Sequence, residues 1–237
     1  MVASADKKLE LENKISFLER VPIFGGCDLP SLRKMASVTT EKSYGKKNIV
    51  FHEGDYGDTL YIIKSGRIKI AKVTIDGREK TLCVLQTGDF FGEMAIFDDL
   101  PRSATAEAID NDVKLLALSK ADFERAINET PSIALRIMRD LTRRIRQVNQ
   151  QVEDLAFKDV HGRVASTLYL LMKTEGVRQN GKSSVLLRMT HQDLANMVGS
   201  SRETVTRALN RLQDEGVITI SHQQIAILKP EVLAESS

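Results

Sequence analysis

The sequence contains no tryptophan, two cysteines and five prolines, and aromatic residues make up only 5% of it. Cys27 and Cys83 are too few for a four-thiolate iron–sulfur site or a structural zinc finger. Cys83 lies in the strand-like run Thr81–Leu85, where a buried, inert thiol is expected. His52, His161, His191 and His222 are scattered without ligand spacing, so no metal site is expected. No nucleophile stands beside a base, and an enzyme reading has no supporting constellation. No apolar run is long enough to span a bilayer, and residues Met1–Lys8 lack the apolar stretch of a signal peptide. The expectation is a cytoplasmic chain with no membrane partner. The net charge of +2 excludes a whole-molecule field for nucleic acid, so any DNA contact must come from a local patch. What is present is ordinary for a soluble protein: 42% apolar and 28% charged residues, in a length of 237 that suits one large or two modest domains.

The chain opens with helical patterns. Leu11, Ile15 and Leu18 mark a short amphipathic helix over 10–18, and Leu29–Val38 places Leu32, Met35 and Ala36 on one face. From about Tyr44 to Leu118, glycines at regular intervals separate short β-rich runs: Asn48–Phe51, Leu60–Ile63, Arg67–Val73 and Val113–Leu118. Asp76-Gly77 is a hairpin signal. Short strands at this spacing predict an antiparallel sandwich or barrel-like roll.

That roll is interrupted by Gly92-Glu93-Met94-Ala95 and Pro101-Arg102-Ser103-Ala104-Thr105-Ala106. Backbone N–H groups after a glycine, at the start of a short helix, suit an anion. Arginine adds forked donors that match phosphate oxygens. Glu93 would repel a bare phosphate and needs another task, such as accepting from a sugar hydroxyl. The alternative is an ordinary turn with a surface Glu–Arg pair, and these residues alone leave both open.

Lys120 begins a helix and Pro131 opens a longer one. Ile137, Leu141, Ile145, Val148, Val152 and Leu155 follow a nearly heptad spacing, flanked by arginines and glutamines. A helix packed on its own domain would carry such a stripe. Its narrowness and polar flanks favour a homodimer seam instead.

Past Phe157, Asp159 is placed as the N-cap of a helix with Val164, Leu168 and Leu171 inward, and Asn180-Gly181 as a turn. Thr190 caps a helix that Gly199 ends, and Ser200 or Ser201 caps a second through Leu212. Ala195, Gly199 and Val205 occupy the small, turn and packing positions of a helix-turn-helix. The second helix presents Ser201, Arg202, Glu203, Thr204 and Arg207, with His191 at the start of the first. Arginine reads guanine, glutamate accepts from cytosine, and hydroxyls hold phosphates. Val217–Ile220 and Ile225–Leu228 then form a strand pair, the wing.

Three blocks make the chain resemble the Crp–Fnr regulator family over essentially its full length: Gly88–Ala95 with Pro101–Thr105, Asp154–Ala165, and Val198–Arg207. The resemblance implies an α+β fold with a cyclic-nucleotide-binding β-roll domain over 1–130, a dimerisation helix over 131–157 and a winged helix-turn-helix DNA-binding domain over 158–237. It implies a homodimeric transcription regulator of palindromic DNA with cyclic AMP as effector, or cyclic GMP, and with RNA polymerase as a further partner through the loop Lys173–Ser183. Gly92, Glu93, Met94, Ala95, Arg102 and Ser103 would hold ribose and phosphate. Val148 and Asn149 would meet the base, and Val148 cannot hydrogen-bond there. The family's iron–sulfur branch needs more cysteines, and its haem branch needs axial ligands. Its cyclic di-GMP branch is not expected to keep Glu93 with Arg102. Two alternatives stand beside this reading: the same fold binding DNA constitutively or answering another nucleotide, and a nucleotide-gated module whose helix-turn-helix binds protein.

Overall fold

The computed structural model describes residues 2–174, 177–178, 185–221 and 224–235. The chain forms two compact units, residues 1–77 with 82–144, and residues 145–237 with 78–81.

The first unit begins with α1 (Val2–Leu18), a 3-10 turn at Pro22–Phe24 and α2 (Leu29–Val38). α1 is longer than its apolar period indicated. Its first half has Ala, Lys, Glu and Leu, which favour helix without needing a buried face. Asp28 caps α2 by accepting from the Ser31 N–H at 3.0 Å, and Leu32, Met35 and Ala36 are its buried residues.

The roll follows: β1 (Thr40–Tyr44), β2 (Ile49–Phe51), β3 (Thr59–Ser65), β4 (Ile68–Val73), β5 (Glu79–Leu85), β6 (Phe90–Phe91), α3 (Met94–Phe97), β7 (Thr105–Ala108) and β8 (Val113–Ser119). Two four-stranded sheets result, in the orders β1-β8-β3-β6 and β2-β7-β4-β5. The pairings β1–β8, β3–β8, β3–β6, β2–β7 and β4–β7 are antiparallel.

Strands β3 and β8 are apolar on both faces because each face has its own core. Leu60, Ile62, Leu116 and Leu118 pack with Phe90 of β6 and with Phe24, Phe123 and Ile133 of the helical layer. The alternate residues Tyr61, Ile63, Val113 and Leu115 pack between the sheets with Ile68, Phe91 and Ala106. The period of two thus divides one strand between two cores.

After β8 come α4 (Lys120–Glu129), capped by Ser119, and α5 (Ser132–Phe157). Ile137 is only 2% exposed and belongs to the same core as Ile133. This corrects its assignment to a dimer seam: the first turns of α5 need that face to close their own unit, and Leu141 packs partly on the same core. Cys83 is exposed on β5, not buried, although Thr81 and Leu85 on the same strand are buried: β5 is the edge strand of its sheet, with a paired neighbour on one side only.

The second unit comprises the rest of α5, then α6 (Val160–Thr174), β9 (Val177–Arg178), β10 (Val185–Arg188), α7 (His191–Val198), α8 (Arg202–Asp214), β11 (Ile218–Ser221), β12 (Gln224–Ile227) and α9 (Pro230–Glu235). The Asp159 carboxylate accepts from the Gly162 N–H at 2.8 Å at the start of α6. Arg163 donates to the carbonyls of Val198 at 3.1 Å and Lys158 at 2.9 Å, tying α6 to the end of α7. Val164, Leu168, Leu194, Val205, Leu209, Ile218 and Ile227 form a separate, fully buried core. Most of the 173–183 loop, the Asn180-Gly181 turn and His222 lie outside the described residues.

Candidate functional site

β6 ends at Phe91, and Gly92 turns the chain with φ of +82° into α3. A side chain there would stand 2.7 Å from Arg102 Nη1 and 3.0 Å from the Thr59 carbonyl oxygen, so glycine is required by both backbone and space. Glu93 and Arg102 flank this turn and are only 6% and 5% exposed. Of the charged residues buried among the described ones, Lys14 is the third. Charged groups rarely occupy such positions without a task.

Arg102 is fixed from several sides. Its main chain is tied to the preceding loop: its N–H donates to Asp55 O at 2.8 Å and its carbonyl accepts from Gly54 N–H at 2.9 Å. Nη1 donates to Gly92 O at 2.6 Å and Nη2 to Thr59 O at 2.8 Å. The guanidinium lies 4.3 Å from the Phe51 ring centroid. Its Nε is buried without a partner. A guanidinium has five N–H donors, so the two bonds made leave most of its capacity for a ligand oxygen. Ser103 is exposed beside it, with Oγ 3.2 Å from the half-exposed Met94 sulfur. Ala95 turns inward, 5% exposed.

Glu93 is met by Arg144 of α5, whose Nη1 is 3.5 Å from its Oε1. Arg144 is itself held by Phe90 O at 2.7 Å, Asp140 at 2.8 Å and the Phe90 ring at 4.5 Å. Burial pushes the Glu93 carboxyl above its ordinary range, with Arg144 opposing the shift. Burial lowers the Arg102 pKa in the same way, opposed by Tyr61, Asp58 and Glu93. The result is a buried acceptor and a buried donor at one turn. That pair suits a ligand carrying both a hydroxyl and an anionic oxygen. The donor set fits a cyclic nucleotide.

In the second unit, α7 opens with a reciprocal cap in which Thr190 and Asp193 satisfy each other's backbone N–H groups. Gly199 ends it in the left-handed region, φ of +66°. Ser201, not Ser200, caps α8, accepting from Thr204 N–H at 3.2 Å. Val205, Ala208, Leu209 and Leu212 are buried, which leaves Ser201, Arg202, Glu203 and Arg207 exposed on the outer face. Hydrogen bonds from its own backbone N–H and from Ser201 lower the Glu203 pKa, favouring the ionised acceptor.

Comparison with known proteins agrees with both halves. The cyclic nucleotide-binding domain family matches residues 41–130, and the Crp-like helix-turn-helix domain family matches residues 162–236. The "CRP-like cAMP-activated global transcriptional regulator" of Mycobacterium tuberculosis is 35% identical over 92% of this chain and 96% of its own length. The chain belongs to the Crp–Fnr family of transcription regulators. Another relative, the "Cyclic AMP receptor protein" of Thermus thermophilus, is 32% identical over 90% of this chain and 95% of its own length. Among solved structures, the c-di-GMP responsive regulator CLP of Xanthomonas campestris superposes with a TM-score of 0.76, at 27% identity, over 84% of this chain and 99% of that one.

For this Crp–Fnr protein, the fold brings together Gly92, Glu93, Met94, Arg102 and Ser103. Val148, 56% exposed, and Asn149, also exposed, stand in the half of α5 that belongs to the second unit. Sequence reasoning missed Arg144, Thr59, Phe51 and Gly57. A signal for Arg144 existed. It follows Ile137 and Leu141 by seven and three residues, so it shares their inward face.

Proposed function

We propose that this regulator is a cytoplasmic homodimer that binds palindromic promoter DNA and is switched by cyclic AMP. The observation that carries the nucleotide reading is the buried pair at the Gly92 turn, Glu93 and Arg102. Glu93 accepts from the ribose 2′-hydroxyl. Arg102 and Ser103 hold the cyclic phosphate, with the backbone of Gly92, Met94 and Ala95 close by. Val148 and Asn149 meet the base. Four exposed apolar residues of α5, Ile145, Val148, Val152 and Leu155, supply the dimer face. On DNA, Arg202, Glu203 and Arg207 read bases of a TGTGA-like half-site, and His191, Ser201 and Thr204 engage phosphates.

The nucleotide acts only through a higher affinity for the DNA-competent state. A titration of a palindromic duplex at fixed salt, with and without cyclic AMP, tests the switch. Tighter binding with the nucleotide is expected, and equal affinity would refute it. Calorimetry with cyclic AMP and cyclic GMP decides the base. Arg102→Leu is expected to abolish the mononucleotide heat.

A second reading keeps the fold and changes the effector to cyclic di-GMP. The similarity to the Xanthomonas regulator favours it, as does the absence of a hydrogen-bonding group on Val148. Heat with cyclic di-GMP that survives Arg102→Leu is its signature.

A further inference from the structure

Residues 78–81, around the start of β5, belong to the second unit, and two of them meet the last turn of α7. Asn196 Nδ2 donates to Glu79 Oε1 at 2.9 Å, and the Lys80 ammonium donates to the Met197 carbonyl. The next carbonyl, Val198 O, accepts from Arg163 Nε at 3.1 Å. Two cations thus hold consecutive carbonyls at the negative end of α7, just before the Gly199 turn that leads into α8. Lys80 is distinguished by its partner. Lys14, Lys34, Lys64, Lys72, Lys120 and Lys158 each meet a carboxylate. Lys80 meets a neutral oxygen instead, with the Arg163 charge nearby.

Lys80 and Arg163 also line one cleft of about 250 Å³, part of it open to solvent, together with Thr167 and Asp154. Arg163 commits Nε to Val198 O and Nη1 to Lys158 O, which leaves Nη2 without a hydrogen bond among the described residues. Its remaining donors suit a phosphate oxygen. Asp154 is engaged by Lys158 at 2.9 Å and accepts from Gln150 at 3.1 Å. The Glu79 carboxylate is engaged by Asn196. Burial, reinforced by Arg163, holds the Lys80 pKa below its ordinary value. The neutral amine keeps one N–H on the Met197 carbonyl. That oxygen can only accept, so the nitrogen lone pair turns away from it and is free for an electrophile in the cleft.

We infer that Lys80 is an acyl-acceptor site: an acyl phosphate docks its phosphate on Arg163 and transfers a short acyl group to the Lys80 amine. The ammonium first gives one proton to water. The amine nitrogen then bonds the acyl carbon and the acyl C–O bond to phosphate breaks. Hydrogen phosphate leaves with that electron pair and an amine proton. The product is an uncharged amide. It no longer offsets the negative end of α7, so one of the two clamps ahead of the Gly199 turn is released. Acylation therefore lowers DNA affinity. That consequence rests on the reading of α8 as the recognition helix; the acyl transfer does not.

The full chain is incubated with acetyl phosphate at about pH 8, and acetylation of each lysine is followed by peptide mass spectrometry. Lys80, although half-buried, is expected to react at least about threefold faster than the exposed Lys47. Inorganic phosphate at constant ionic strength should slow Lys80 and leave Lys47 unchanged. A Lys80 that reacts no faster than Lys47, or that phosphate does not protect, would overturn the site. In duplex titrations with cyclic AMP present, Lys80→Gln should bind about threefold more weakly than wild type, and Lys80→Arg as tightly as wild type. Equal loss in both variants makes Lys80 a packing residue and overturns the released clamp. A chain that binds no duplex in any form refutes the recognition-helix reading, while the acetylation rates still decide the site.

Discussion

Arg102 sits against a residue with no side chain. A Cβ on Gly57 would come within 2.2 Å of its Nε, closer than atoms can approach, so Gly57→Ala must displace the guanidinium. Gly57 is not among the residues assigned to the ligand. Its substitution is nevertheless expected to weaken cyclic AMP binding at least about tenfold while Tm changes little, since positioning errors are costly where bidentate groups act. Calorimetry with parallel melting curves checks this. Glu93 supports a pH prediction. Burial raises its carboxyl in the folded state, so between the unfolded and folded values the native chain holds a proton that the unfolded chain has lost. Stability of the ligand-free chain falls as pH rises through that window. Glu93→Gln lacks this loss, and its Tm advantage over wild type should widen from about pH 4 to about pH 7. A constant difference would contradict a buried carboxyl. Gly92, Glu93 and Arg102 were legible because one short loop carries all three. Arg144 was not, because it meets Glu93 from fifty-one positions away. The spacing of the hydrophobic stripe it follows reads as a seam for a partner helix.

That stripe on α5 changes its use along its length. Ile133 and Ile137 are buried in the first unit, while Ile145, Val152 and Leu155 are 60%, 59% and 46% exposed. Periodicity reports which side of a helix is apolar. It does not report what covers that side, and here a single spacing spans two different neighbours. The two ends should separate in experiment. Val152→Glu is expected to shift sedimentation toward monomer with little change in the melting of the first unit. Ile137→Ala should leave association intact and lower unfolding free energy by about 3 kcal/mol, as for a buried aliphatic truncation. Association lost in Ile137→Ala but kept in Val152→Glu would reverse the assignment. Elsewhere the elements are readable where local chemistry fixes them: Asp159 and Thr190 as caps, Ser200 or Ser201 as another, and Gly199 as a left-handed stop. For Cys83 the run Thr81–Leu85 indicates a strand but not its place at the edge of a sheet, where the thiol stays exposed between buried Thr81 and Leu85.

At the scale of the whole molecule, the Crp–Fnr architecture joins a nucleotide-binding roll to a DNA-binding unit through one helix. Any coupling between them is reciprocal. Whatever factor cyclic AMP adds to DNA affinity, a palindromic duplex must add to cyclic AMP affinity, and paired calorimetric titrations should return the same number. The buried cores are distinct: the helical and inter-sheet cores belong to the roll, and the core built on Val164, Leu194 and Ile218 belongs to the DNA-binding unit. Two thermal transitions rather than one are expected. In a scanning calorimeter, cyclic AMP at a hundred times its Kd should raise the roll's endotherm, with about 2.7 kcal/mol of added stability. Duplex DNA should raise the other.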